Sequence, residues 1–444
     1  MKFTSQLRWG IVSQCCNIFI PFLIIFYSYK YIEIELASIW VIFLSMVSLV
    51  LLFDFGLSPA IVRNVSYVIS GAKNLVKTGV KGILVGDDIS YPLLSRLILD
   101  IKKIYIYISM MVLVIVGVGG GGYFYFISPD DLKRVVLFSW AIFSIGLIVN
   151  FIYLYYTPVL TGLGDIKSSY KANVIGRLSW FFFSLFAIYI YPSLITLSLS
   201  FLLSVLVSRY ACAYFLKKNK HMRHVNRTYA YDESSTIPFI GYNAVKLGVV
   251  SLGGFLINRT TSLIVGLVCP IIIAGQFVLS MQIFFALMSV SNILLSIKIP
   301  DISRLVAKNA NKEMRKLILE VFIFSTIVYF IGFFGFILLS TFILPSLHIN
   351  ISFLPVKYLF ILGVIYFFEM NHTICATIIT TRNHVPFLLS SLVSGGGIVI
   401  LSVVFTFHYE YGVIGLILAQ GGVQLMYNNW KWPIVMYKTF IYQK

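Results

Sequence analysis

Four cations sit inside apolar runs of this sequence: Arg177, Arg209, Lys246 and Arg259. A charge at the centre of a membrane helix costs about 2.5–3.5 kcal/mol even on the lenient insertion scale, so its presence asks for a task. Lining one pathway, such cations attract an anionic cargo, and an Arg fork bonds a diphosphate bidentately. The structural alternative is snorkelling, in which the stem stays among apolar neighbours while the charge reaches the headgroups. Arg177 follows Lys171 by six residues and Arg209 lies seven before the end of its run, so both alternatives stay open for them. Lys246 lies deeper, and Arg259 is eight residues, roughly 12 Å, from the outer end of its run.

Acidic residues share that setting. Glu369 falls mid-run in YFFEMNHTI, with His372 three positions on and so on the same helix face. A carboxylate beside a group that titrates near neutrality suits a proton-coupled carrier, and a structural Glu–His or Glu–Arg pair is the alternative. Two ligands alone in an apolar helix do not make a metal site. Asp54 precedes Arg63 by nine residues, where it either pairs with that arginine, caps the next segment, or forms a gate contact.

What must position these groups is a bundle of membrane helices. The chain has 444 residues, 59% hydrophobic and only 11% charged, with a mean hydropathy of +0.92, against roughly 25% charged in soluble domains. Twelve candidate spans run at about 9–29, 36–58, 104–127, 132–157, 172–191, 193–216, 240–267, 272–297, 317–344, 355–378, 385–407 and 412–434. About 20 residues at 1.5 Å each cross roughly 30 Å of hydrocarbon. The first run follows Lys2 and Arg8 but no A-x-A site follows it, so an uncleaved first span is expected.

The net charge of +18 is topological in this setting, and no nucleic-acid partner is expected. Loops between spans 2 and 3, 6 and 7, and 8 and 9 hold eighteen Lys and Arg, whereas the opposite loops hold Lys30, Lys133, Arg134 and Lys357. The positive-inside rule therefore places those three loops and both termini in the cytoplasm. One pattern occurs twice: PAIVRNV at 59–65 and PDISRLV at 300–306 share Pro-x-Ile-x-Arg-x-Val, each opening a basic segment where an even-numbered span meets the cytoplasm. A duplicated six-span unit explains this, with halves at 1–216 and 237–444 and a basic linker at 217–236. Six is even, so the halves share one orientation and are related by an axis along the membrane normal. Arg63 and Arg304 are the repeated arginines, and with Asp54 they are candidates for gate or structural contacts.

FDFGLSPAIVRNVS at 53–66, LIVG at 263–266 and the twelve-span plan with short outer loops resemble the Wzx-type flippases of lipid-linked polysaccharide repeat units, within the multidrug/oligosaccharidyl-lipid/polysaccharide (MOP) exporter superfamily. The resemblance implies an all-α, MATE-like fold of two pseudo-symmetric six-helix lobes around an alternating-access cavity in the bacterial inner membrane. It also implies a lipid-linked oligosaccharide on undecaprenyl diphosphate as substrate, proton or sodium coupling in place of a cofactor, and a polysaccharide polymerase and chain-length regulator as partners. One departure stands out: where relatives often carry an acidic residue late in span 7, this chain reads INRTTSLIVG, with Arg259.

Two rivals use the same compartment. A cation-coupled drug exporter of the superfamily calls for carboxylates in its pathway, and a membrane-embedded polysaccharide polymerase or ligase calls for a substantial outer loop. The outer loops here are short, so no enzyme is expected. GVGGGG at 117–122 matches a dinucleotide fingerprint in letters alone, since no strand precedes it. The five cysteines show no metal or redox spacing and read as small hydrophobes.

Overall fold

The computed structural model describes residues 5–76, 84, 86–225, 234–307, 311–346, 351–381 and 386–442, excepting the side chains of Leu7, Tyr242, Asn243, Val245, Lys246, Leu247, Val250, Pro300, Ser303, Arg304 and Ala307. The candidates Lys246 and Arg304 thus lie outside the described side chains. Among the described residues the regular structure is helical, with no strand. In chain order the helices are α1 (Ser5–Tyr31), α2 (Ile34–Leu52), α3 (Leu57–Ile69), α4 (Tyr91–Ile127), α5 (Lys133–Ile152), α6 (Tyr156–Gly162), α7 (Ile166–Ile190) and α8 (Leu194–Lys218). They continue as α9 (Ile237–Asn258), α10 (Thr260–Val268), α11 (Ile271–Ser291), α12 (Ile293–Ala307), α13 (Asn311–Ser346), α14 (Val356–Thr380), α15 (Leu388–His408), α16 (Gly412–Met426) and α17 (Asn428–Met436). The chain forms two compact units, Met1–Leu252 and Gly253–Lys444, the division falling inside α9.

Eleven helical segments among the described residues are long and apolar enough to cross a membrane, and the protein is a multi-pass membrane protein. The twelfth expected span is present but broken, because Tyr427 leaves helical geometry at φ −143° and separates α16 from α17. Two other expectations are corrected at their ends. Spans 3 and 9 are far longer than their apolar runs: α4 has 37 residues and α13 has 36, so each continues as helix into what reads as a basic loop. Helical hydrogen bonding needs no apolar surface once the chain leaves hydrocarbon, and hydropathy alone cannot see that continuation.

The first repeated motif lies on α3, a separate helix rather than the tail of span 2. The chain turns at Phe55 (φ 43°) and Gly56 (φ 71°), and left-handed backbone at a bulky residue costs about 1–2 kcal/mol. Gly248 makes room for that turn, since a Cβ there would stand 2.7 Å from Phe55 Cδ1. Apolar positions Leu57, Ala60, Ile61, Val65 and Val68 bury one face of α3, which packs on α6. The second motif lies on α12, set off from α11 at Asn292. Both copies therefore follow a break at the end of an even-numbered span.

Aromatic residues make the core of the first unit. Trp40 and Phe43 of α2, Phe124 of α4, and Trp140 and Phe143 of α5 pack mostly edge-on or tilted, with Phe43 and Phe124 centroids 4.5 Å apart. Within α4 a wide π turn, Leu113–Val118, leaves the Gly117 carbonyl to accept from Trp140 Nε1 at 2.9 Å. A Cβ on Gly120 would overlap the Trp140 ring, so this glycine lets α4 and α5 approach closely.

Candidate functional site

In the first unit two guanidinium groups are held by amides instead of carboxylates. Arg177, on α7, donates from Nε to Asn17 Oδ1 of α1 at 2.8 Å, and its guanidinium lies 5.6 Å from the Trp180 ring centroid. Beside it Asn173 Nδ2 donates to Ser13 Oγ at 2.9 Å, so one face of α7 is tied to α1 by two polar contacts. Arg209, on α8, grips Asn150 Oδ1 of α5 through Nε at 3.0 Å and Nη2 at 2.6 Å, and donates from Nη1 to the Tyr153 carbonyl at 3.4 Å. Each cation follows by one residue the close contact of α7 with α8 at Gly176 and Ser208. Neither has a carboxylate partner among the described residues. Both are half-buried, so neutral partners fix the forks in place while leaving their charge uncancelled.

A tyrosine cluster surrounds Arg209. Tyr153, Tyr155 and Tyr156 bridge α5 and α6, with the Tyr155 and Tyr156 rings 4.7 Å apart, and Tyr105 of α4 lies 5.8 Å from Tyr155. The Tyr105 hydroxyl donates to Asp54 Oδ1 at 2.5 Å. Asp54 Oδ2 accepts from the Ser58 backbone N–H at 3.1 Å, capping the first turn of α3. Of the alternatives for Asp54, capping is the one seen; Arg63 makes no hydrogen bond or ion pair among the described residues.

One carboxylate was not singled out from sequence. Asp100 of α4 is 0% exposed, and its Oδ2 accepts from Arg96 Nε (3.1 Å), the Thr236 backbone N–H (2.7 Å), Thr236 Oγ1 (3.0 Å) and Ser235 Oγ (3.3 Å). It clasps the chain where the basic linker ends and α9 begins.

In the second unit Arg259 occupies the break between α9 and α10, its guanidinium 3.9 Å from the Phe285 ring centroid on α11. Cation–π contact over an aromatic face stabilises a charge that has no anion beside it. Glu369 is 5% exposed on α14 and accepts from Gln424 Nε2 on both oxygens, at 3.2 and 3.0 Å. His372 Nδ1 stands 3.5 Å from Glu369 Oε1, and neither ring nitrogen makes a hydrogen bond among the described residues. Glu369 and His372 thus lie side by side without a hydrogen bond, and Gln424 is the partner of the carboxylate.

That network runs on along a stripe spaced by four. Gln424 Oε1 accepts from Asn428 Nδ2 (2.7 Å), which also reaches Ser394 Oγ of α15 (2.9 Å), and Asn428 Oδ1 accepts from Trp432 Nε1 (3.0 Å). One turn earlier Gln420 Nε2 donates to the Tyr366 hydroxyl at 3.1 Å, and that hydroxyl donates to Met281 Sδ at 3.3 Å. The sequence signal for the missed members was there: Asn17 in CCNIF, Asn150 in IVNFI, and Gln420, Gln424 and Asn428 at helical spacing are isolated amides in apolar surroundings. Such groups are buried only when bonded, so each marks a contact between helices.

With the geometry in hand, the fold can be set beside solved structures. An inward-facing multidrug resistance MATE family transporter of the MOP superfamily superimposes with a TM-score of 0.68 at 11% identity, covering 98% of this chain and 95% of that one. The lipid II flippase MurJ, in an inward closed conformation, gives 0.62 at 14% identity over 97% and 87% of the two chains. A MOP superfamily transporter from Pyrococcus furiosus, described as having a binding pocket of reverse polarity, gives 0.52 at 12% identity over 98% and 94%. No family model matches the sequence, and no curated protein matches it. At these identities the likeness establishes a MATE-like transporter fold.

Proposed function

We propose that this protein is a flippase that carries an undecaprenyl-diphosphate-linked oligosaccharide from the cytoplasmic to the outer leaflet by alternating access. The observation that supports it is the state of Arg177 and Arg209: two cations in apolar helices, each one residue beyond the Gly176–Ser208 contact of α7 with α8, with neutral partners only among the described residues. Such a pair suits two phosphates, since each fork keeps its charge and directional donors for an anionic guest. Tyr153 and Tyr156 beside Arg209 supply ring faces of the kind that sugars stack on. In the second unit Arg259 has no carboxylate partner among the described residues, and Glu369 with His372 is assigned to ion coupling. A cation-coupled drug exporter shares the fold, and the buried Glu369 is the observation on its side.

The experiment is extraction of lipid-linked saccharides from a strain lacking the gene, with a stain for surface polysaccharide and a drug-susceptibility panel. Complete repeat units on undecaprenyl diphosphate accumulate and surface polymer disappears if the proposal holds. Arg177→Gln or Arg209→Gln then restores transport to about a tenth or less, since a hydrogen bond to a charged group is worth about 1.5–3 kcal/mol and 1.4 kcal/mol is tenfold. Unchanged surface polymer with raised drug sensitivity overturns the cargo assignment in favour of the exporter.

A further inference from the structure

In the unit formed by Gly253–Lys444, a groove of about 580 Å³ runs between α13, α14 and α17 with the π turn Tyr437–Ile441 that continues it. Its wall is mainly apolar, with Phe322, Phe367, Phe368 and Ile434 among the lining residues. Two polar groups in it are unaccounted for. Asn429 lines the groove, is only 6% exposed, and has no hydrogen-bond partner at Oδ1 or Nδ2 among the described residues. Buried amides are almost always paired, so the position calls for a ligand that brings polar atoms into an apolar slot. Lys438 lines the same groove nine residues further on, roughly 13 Å along the helix, and its ammonium meets no carboxylate among the described residues.

The groove also has a defined depth. Its lining comes from residues 318–322 near the start of α13, residues 367–375 toward the end of α14, and residues 429–441 at the close of the chain. The basic loops assign all three ends to the cytoplasm. That end of α13 carries Lys312, Arg315 and Lys316 against Glu313 and Glu320. Basic pockets between membrane helices on the cytoplasmic side favour anionic lipid headgroups.

We infer that the groove holds one chain of an anionic phospholipid from the cytoplasmic leaflet, its phosphate on Lys438 and a glycerol-ester carbonyl on Asn429 Nδ2. Side chains on a helix lean toward its N-terminus, which turns Lys438 toward Asn429 and shortens the gap that the phosphoglycerol unit bridges. A water carried with the ester region serves Asn429 Oδ1. The volume lies within the roughly 300–1,000 Å³ of ligand sites. This lipid is a resident of the protein, and the inference does not depend on the cargo.

Native mass spectrometry of the full-length protein in detergent, with equal amounts of phosphatidylglycerol and phosphatidylethanolamine added, tests it. Wild-type protein retains phosphatidylglycerol about fivefold over phosphatidylethanolamine, the ratio given by roughly 1 kcal/mol for one basic residue at an anionic headgroup. Lys438→Gln, at an exposed position, abolishes that preference, and Ile434→Trp, which fills the slot from its exposed wall, lowers retention of both lipids. Equal retention of the two lipids by wild type, or a preference that survives Lys438→Gln, overturns the inference. So does displacement of phosphatidylglycerol by an equal amount of undecaprenyl phosphate, which assigns the groove to a polyprenyl chain. Because binding is read on purified protein without transport, failure of the cargo proposal in cells leaves this result standing.

Discussion

Glu369 shows how a neutral amide can govern a charge. Gln424 donates one NH2 group to both carboxylate oxygens and passes its own carbonyl to Asn428, so the stripe is polarised in one direction. Glu369→Gln preserves shape and can keep an acceptor toward Gln424, so thermal unfolding in detergent shifts by less than about 1 kcal/mol. Glu369→Leu strands the Gln424 amide and costs about 1–3 kcal/mol in the same assay. If the proposed coupling runs through Glu369, transport by Glu369→Gln measured between pH 6 and 8 loses the pH dependence of the wild type; an unchanged profile assigns the pair a structural role. At this scale the charges were legible and their partners were not. Arg177, Arg209, Arg259 and Glu369 stand out because a charge in an apolar run is costly wherever it points. Asn17 and Arg177 are 160 positions apart, and only helix packing brings them within 2.8 Å.

Among the helices, contact distance is set by the smallest residues. Gly176 of α7 faces Ser208 of α8, where a Cβ would stand 2.5 Å from Ser208 Cβ. Gly176→Leu should cost about 1–3 kcal/mol by overpacking. Gly122→Ala, where a Cβ meets nothing within 4 Å, should gain up to about 1 kcal/mol from helix propensity. Thermal unfolding of the two variants in detergent checks the opposite signs. Apolar runs located eleven spans, because about 20 apolar residues have few other fates. The break at Tyr427 escaped notice, since neither Gly nor Pro marks that position and Pro433 lies six residues further on. The ends of α4 and α13 escaped for the opposite reason: polar residues there continue a helix that hydropathy reports as loop.

For the whole molecule, the basic loops predict an orientation. In a cysteine-free background, a cysteine at Asp130 should react with a membrane-impermeant maleimide in intact cells and one at Lys218 should not; the reverse pattern inverts the topology. The repeated Pro-x-Ile-x-Arg-x-Val pattern points to an internal duplication because its two copies occupy the same place in the span order, and the structure sets each on its own helix, α3 and α12. The least legible whole-chain feature was the Asp100 clasp, which joins residues 136 positions apart through a carboxylate that looks in sequence like one more charge beside a basic loop. Its consequence concerns inheritance more than transport. Hydrogen bonds from Ser235 and Thr236 to Asp100 hold the start of α9 against α4 directly, without routing through the covalent connection from Lys218. Two separately translated pieces, divided between Lys218 and Ser235, should therefore still dock at Asp100, and co-purification of the co-expressed pieces, lost in Asp100→Ala, checks it.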